Sequence, residues 1–314
     1  MDLVAHPDNP IPAGATSGFV TTEDGRRIRF ARFDAVGSPL KGMVTILQGR
    51  AEFIEKYFET VEDLRKRGFA VVAFDWRGQG GSERVVSNPR LGYVYNLHEY
   101  VRDAVAVLEQ VSLPDCPGLH YGLCHSTGGL VALLGHVCLR TIFERMVLAS
   151  PLIGLGQFGY SQRILGPLSA IMMTVGLAEV ALKVTDTDPG SVPFADNSLT
   201  HDEARFARTM ALLKQAPELD TGPASIGWLN AACRAMRAVR AYDFAPQVSL
   251  PLLFVAAGAD RVVSSPATEE LASRMRAAGY VEIPGARHEL MMEANRFREQ
   301  FWAAFDAFIP GSRE

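Results

Sequence analysis

Residues 119–133 read LHYGLCHSTGGLVAL, and this stretch constrains the fold more than any other. Its first half is a short apolar run bounded by turn formers, which predicts a buried strand. Its second half, residues 127–139, begins with small residues and carries Leu130, Val131, Leu133, Leu134 and Val137, which predicts a helix. Ser126 stands at the break. Gly128 and Gly129 follow at once, where a tight turn leaves room for only a hydrogen beside a neighbouring strand. A strand-to-helix turn of this kind lifts a hydroxyl clear of its own backbone. It also aims the unpaired N–H groups of a helix N-terminus at any oxyanion formed there.

The rest of the chain supplies a sheet around that turn. Residues 19–22 and 27–33 alternate apolar and polar around Glu23, Asp24 and Gly25, the pattern of a hairpin. Residues 43–47 (MVTIL) form an apolar strand, followed by an amphipathic helix carrying Tyr57, Phe58, Val61 and Leu64. Residues 69–74 are a further strand that runs into the glycine-rich DWRGQGGS. A helix is expected over 97–111 and a strand over 145–150. After a long gap come a strand at 251–257, a helix at 266–277, a strand at 280–283 and a helix at 294–309. Strands alternating with helices imply a mostly parallel sheet of eight strands covered on both faces, an α/β fold. Residues 1 to about 16, rich in Pro, Asn and Gly, read as an extended arm.

The alternation breaks between residues 152 and 245. That segment is Met- and Ala-rich, helical in period, with turn clusters at 186–190 and 215–223. We therefore divide the chain into a core of residues 1–151 and 246–314 and a helical cap inserted at 152–245. Within the cap, Ile164, Leu165, Leu168, Ile171, Met172, Val175 and Leu177 make an apolar face. Either this face packs on the core, or part of it lines an acyl-chain tunnel or touches a lipid surface.

Reactive groups in parallel sheets gather beyond the C-terminal ends of the strands. The residues arriving there are Gln48, Gly49 and Arg50, then Asp75, then Ser126, then Asp260, then His288. The order Ser126, Asp260, His288 at successive strand ends is the order of a hydrolase triad. Ser126 is the expected nucleophile, His288 the base, and Asp260 the group that orients the imidazole. The plain alternatives are a turn-capping Asp260 and a surface His288. His125 adjoins Ser126 but points away across a sharp turn, so a structural or pocket-wall role is expected. Asp75, Arg77 and Ser82 read as a loop-bracing network. The Arg50 side chain either meets a phosphate or carboxylate or is simply solvated.

These motifs resemble the α/β-hydrolases of the lysophospholipase and monoacylglycerol lipase group. The resemblance rests on LQGRAEF, FDWRGQGGS, CHSTGG, GADRVV and GARHE, and covers residues 18–150 and 250–309. It implies an α/β-hydrolase fold and a lipid-type carboxylic ester as substrate, with acyl transfer to water. It also implies an oxyanion hole made by the backbone N–H groups of Arg50 and Thr127. Two positions depart from the group's pattern: Gln48 stands where its members have His before Gly49, and Cys124 stands where the elbow motif G-x-S-x-G has its first glycine. The same triad on an amide, thioester or carbon–carbon bond, acyl transfer to an acceptor other than water, and a non-catalytic receptor on this fold remain alternatives.

Composition sets the remaining limits. A chain of 314 residues with 48% hydrophobic content suffices for one large domain with an insertion. A net charge of −4 and no basic run argue against nucleic acid. The four cysteines, Cys116, Cys124, Cys138 and Cys233, lack metal or disulfide-scaffold spacing and suit a reducing compartment. His98, His120, His136 and His201 lack ligand spacing, so no metal or cofactor is expected. The first residues carry neither a basic nor an apolar leader segment, and the apolar stretch 165–184 is interrupted by Gly, Pro and charge. The expectation is a cytoplasmic protein with a small-molecule acyl ester as partner and transient membrane-surface contact through the cap.

Overall fold

A computed structural model describes residues 2–37, 40–156, 162–182 and 190–311. Eight strands form one sheet: β1 Ala15–Thr21, β2 Arg27–Phe33, β3 Met43–Leu47, β4 Ala70–Phe74, β5 His120–His125, β6 Arg145–Ala149, β7 Leu252–Ala257 and β8 Ala278–Ile283. Their order is β1-β2-β4-β3-β5-β6-β7-β8. β1 pairs antiparallel with β2, and β2 antiparallel with β4. All other pairings are parallel. This is the expected α/β-hydrolase sheet.

Among the described residues ten α-helices accompany it: α1 Phe58–Lys66, α2 His98–Val107, α3 Leu113–Asp115, α4 Thr127–Leu134, α5 His136–Leu139, α6 Gln162–Thr174, α7 Glu203–Gln215, α8 Ile226–Val239, α9 Ser265–Ser273 and α10 Asn295–Phe308. The central strands are buried on both faces, which is why they read as continuous apolar runs. Their alternate side chains feed two cores. Met43, Leu47, Val72, Phe74 and Cys124 meet Tyr100 of α2, Leu130 of α4 and Leu271 of α9. Val44, Ile46, Val71, Ala73 and Leu123 meet Val61 of α1 and Phe301 and Phe305 of α10 on the other side.

Two expected helices are broken. The helix expected over 97–111 ends as α2 and continues through a wider turn at Leu108–Ser112 into α3. The one expected over 127–139 ends at Gly135, where a new turn begins α5. Helical period survives both breaks, so the sequence pattern does not reveal them. Among the described residues of 152–245 there is no strand, only isolated bridges such as Leu155 with Val263. Helices α6, α7 and α8 lie there, and α6 packs along α8. Most of the turn cluster expected at 186–190 lies outside the described residues. α8 joins the first core through Trp228, Ala232 and Met236. The exposed side of α6 carries Ile164, Leu168 and Ile171.

Candidate active site

The turn at Ser126 is strained. Its backbone sits at φ 50°, ψ −113°, a region that costs an ordinary side chain on the order of 1–3 kcal/mol. Neighbours hold it there: the Ser126 N–H donates to Ala149 O at 3.0 Å, and the Ser126 carbonyl accepts from Gly129, Leu130 and Leu152. Gly128 is obligatory, since a Cβ on it would lie 2.0 Å from Leu47 O. Cys124, in place of the motif's first glycine, points into the first core, where a small hydrophobe fits, and burial pushes its thiol pKa up. The departure therefore leaves the turn intact.

Three side chains meet above the sheet. His288 Nε2 lies 3.1 Å from Ser126 Oγ, and His288 Nδ1 lies 2.7 Å from Asp260 Oδ2. The other oxygen of Asp260 accepts from the amides of Val262 at 2.7 Å and Val263 at 3.0 Å. These bonds fix the carboxylate before it meets the ring. Ser126 and His288 are buried, and the Asp260 side chain is fully so. The structure thus brings together all three residues that chain order picked out.

The loop after β3 faces the same space. Gly49 donates its N–H to the Glu52 carboxylate, and Ala51 donates to Gln79 Oε1 at 2.6 Å. Those two amides are committed, while the Arg50 amide between them has no such acceptor among the described residues. Thr127 opens α4, so its N–H has no carbonyl four residues back to receive it. Arg50, Ser126, Thr127 and His288 all line one cavity of about 710 Å³. Its walls are mainly apolar and come largely from the segment after β6, including Leu155, Leu165, Phe206, Leu213 and Leu229.

Sequence reasoning missed what braces this loop. Glu52 is buried and accepts from Gly49 N–H, Tyr57 OH at 2.6 Å and Lys56 Nζ at 2.7 Å, with His125 Nδ1 at 3.1 Å. Burial opposes its charge, yet Lys56 and His125 hold its pKa well below the carboxylate range. Lys56 also reaches Glu289 at 2.6 Å, beside His288. A lone carboxylate in a loop leaves no periodic signal; only its place three residues past Gly49 hints at it. Gln48 has a structural role: its side-chain N–H₂ donates to Asp75 Oδ1 at 3.0 Å, and its backbone carbonyl receives Trp76 Nε1 at 2.8 Å.

Other expected residues fall into place. His125 lines the cavity wall. Asp75 pairs with buried Arg29, Ser82 donates to Asp75 O, and Arg77 pairs with Asp103 and Asp24, a bracing network. The Arg50 side chain is half-buried and braced: its Nη2 donates to Gly222 O and its guanidinium lies 5.4 Å from the Trp228 ring. Among the described residues no cluster of His, Cys, Asp and Glu has the arrangement of a metal site.

With this geometry in place, likeness to known proteins decides the family. A family described as serine aminopeptidase, S33, matches residues 38–295. The chain belongs to this family of α/β-hydrolases. It is similar to lysophospholipase L2 of Escherichia coli K12, with 28% identity over 88% of this chain and 82% of the relative. It is similar to monoglyceride lipase of Rattus norvegicus at 24% identity, over 92% of this chain and 91% of that one. Its fold matches that of a soluble variant of monoglyceride lipase from Saccharomyces cerevisiae, with a TM-score of 0.75 at 16% identity, covering 96% of this chain and 99% of the other. The chain is accordingly a hydrolase.

Proposed function

We propose that this enzyme is a serine ester hydrolase that removes a single acyl chain from a lipid-like ester of the monoacylglycerol or lysophospholipid type. The observation that carries the reading is the chain of contacts Ser126–His288–Asp260 at the floor of a largely apolar cavity. His288 takes the Ser126 proton as Oγ attacks the ester carbonyl, and returns it to the leaving alcohol. Asp260 holds Nδ1–H and stabilises the imidazolium. The Arg50 and Thr127 amides receive the oxyanion, each worth about 3 kcal/mol of transition-state stabilisation. Water, activated by His288, then frees the acid from the acyl-enzyme. The names of the relatives support a lipid ester over other bonds.

A peptide N-terminus, the substrate that the family's description suggests, would need a free carboxylate in the cavity. The cavity-lining acids Glu52 and Glu289 are both committed to Lys56, which favours the ester. Residues 152–245 act as a cap that supplies most of the acyl-chain wall, and the exposed apolar side of α6 supports contact with a lipid surface. No helix among the described residues is long and apolar enough to cross a membrane. The four cysteines are free thiols, which supports the cytoplasm as the place of action.

A fluorophosphonate probe and a panel of acyl esters test the reading. Ser126→Ala should abolish labelling and cost on the order of 10⁶-fold in turnover. Labelling that survives this change, or a preference for matched amides over esters, overturns it.

A further inference from the structure

His288 stands on a largely irregular loop between β8 and α10, so its place depends on what its neighbours bond to. The Glu289 N–H donates to Leu199 O at 2.9 Å, and the Arg287 N–H donates to Glu293 Oε1 at 2.7 Å. The Arg287 guanidinium donates to Thr200 O at 2.9 Å and to Asn197 O at 3.2 Å. Both flanks of the base are thus tied to residues 197–202, a strap that leads into α7, or to the acid that grips it.

That acid is Glu293, which is fully buried. Its Oε1 also accepts from His201 Nδ1 at 2.7 Å, and its Oε2 accepts from the amides of His201 at 2.9 Å and Ala294 at 2.8 Å. One carboxylate so gathers the strap, the base loop and the start of α10. Burial opposes its charge, yet the donated N–H groups hold its pKa below the usual carboxylate value. The strap is shaped for this fit. Asn197 Oδ1 accepts from the Leu199 N–H at 2.7 Å, its Nδ2 donates to Thr200 O at 2.6 Å, and the buried Thr200 hydroxyl donates to Met292 O at 2.7 Å. The strap also belongs to the cavity, where Leu199 and Thr200 stand in the wall with Phe206 and Met210 of α7.

We propose that Glu293 is a positioning residue for hydrolysis: its carboxylate locks the strap 197–202 onto the loop of His288, so that the imidazole stands against Ser126 only while α7 is seated against the cavity. The inference rests on the ester-hydrolase reading above and adds a control to the same site. Wall and base then move together. A shift of α7 that opens the cavity draws Leu199 and Glu289 with it, and takes His288 Nε2 out of its 3.1 Å reach of Ser126 Oγ. A misplacement of about 1 Å at a reacting group costs on the order of 100-fold in rate.

Two variants of the full chain test this. Glu293→Gln keeps the volume but turns an amide N–H₂ towards backbone N–H groups. Arg287→Met removes the guanidinium bonds to Asn197 and Thr200 and leaves Glu293 in place. Two readings are taken. One is kcat on p-nitrophenyl acetate, whose acyl group is too short to need the wall, and on p-nitrophenyl decanoate. The other is the low-field proton resonance of His288 Nδ1–H, identified by its absence in Asp260→Asn. Both variants should lose about 10- to 100-fold in kcat, by the same factor on the two esters, with the low-field resonance broadened or lost. A fall on the decanoate alone overturns the proposal, since the strap would then only shape the acyl wall. So does wild-type kcat on the acetate, and so does a lower kcat with an unchanged low-field resonance, which would mark general loosening. If Glu293→Gln does not fold by circular dichroism, Arg287→Met decides alone on the same readings. Failure of the parent reading looks different: the wild-type enzyme hydrolyses neither ester and Ser126 is not labelled.

Discussion

Glu52 holds His125 through Nδ1 at 3.1 Å, and the far nitrogen of that ring lies 3.3 Å from the carbonyl of His288. The same carboxylate receives the Gly49 N–H. One buried acid thus ties the loop carrying the Arg50 amide to the loop carrying His288. Glu52→Gln keeps the shape but removes the charge that Lys56 and His125 share. The expected result is a fall in kcat of up to about 100-fold with KM little changed, because a displaced loop weakens transition-state contacts more than substrate binding. Steady-state kinetics on the folded variant, checked by thermal melting, decides this; wild-type kcat would refute it.

Asp260→Asn separates orientation from folding. The amide oxygen can still accept from Val262 and Val263, so the melting temperature should stay near that of the wild type. The bond to His288 Nδ1 then favours the wrong tautomer, and kcat should drop about 10⁴-fold. A drop of under tenfold in a single-turnover assay would place the orienting group elsewhere.

Gly128→Ala should destabilise the whole fold. Its Cβ would overlap the Leu47 carbonyl at 2.0 Å, and that backbone belongs to a fully buried strand that cannot yield. A loss of about 3 kcal/mol or more is expected in urea unfolding. Wild-type stability would mean that the elbow relaxes more easily than its packing suggests.

The join between α1 and α7 should fail in acid. Burial opposes the charge of Glu59, but Arg205 and Arg208 overcome it and lower its pKa to about 2. A carboxyl depressed on folding contributes stability that is present above its unfolded pKa, near 4.5, and is lost as pH falls towards about 2. Glu59→Gln should therefore flatten the decline of melting temperature between about pH 4.5 and 2, and limited proteolysis of the wild type should reach α7 first in that window. An unchanged acid slope in the variant would rule out this contact as the source.

Much of this molecule was legible in its order of residues. Runs such as MVTIL and AVVAF, buried on both faces, announce a parallel sheet, and their one polar residue, Thr45, meets Ser112 Oγ at 3.2 Å. Gly128 announces the elbow because nothing larger fits. Ser126, Asp260 and His288 announce themselves through chain order at successive strand ends, since a parallel sheet delivers every strand to the same edge. Local pattern could not show where α2 and α4 break, because helical period carries across both breaks.

Tertiary structure alone decided the partners of charge. Glu52 and His125 are 73 positions apart, and Arg50 and Gly222 are 172 apart; no periodicity couples them. Whether a carboxylate braces or reacts depends on distances of a few ångströms and on excluded water. Sequence determined the sheet, the elbow and the three residues that meet above it through short-range sterics, hydrophobic period and chain order. The cavity and the bracing acid exist only once distant segments pack together.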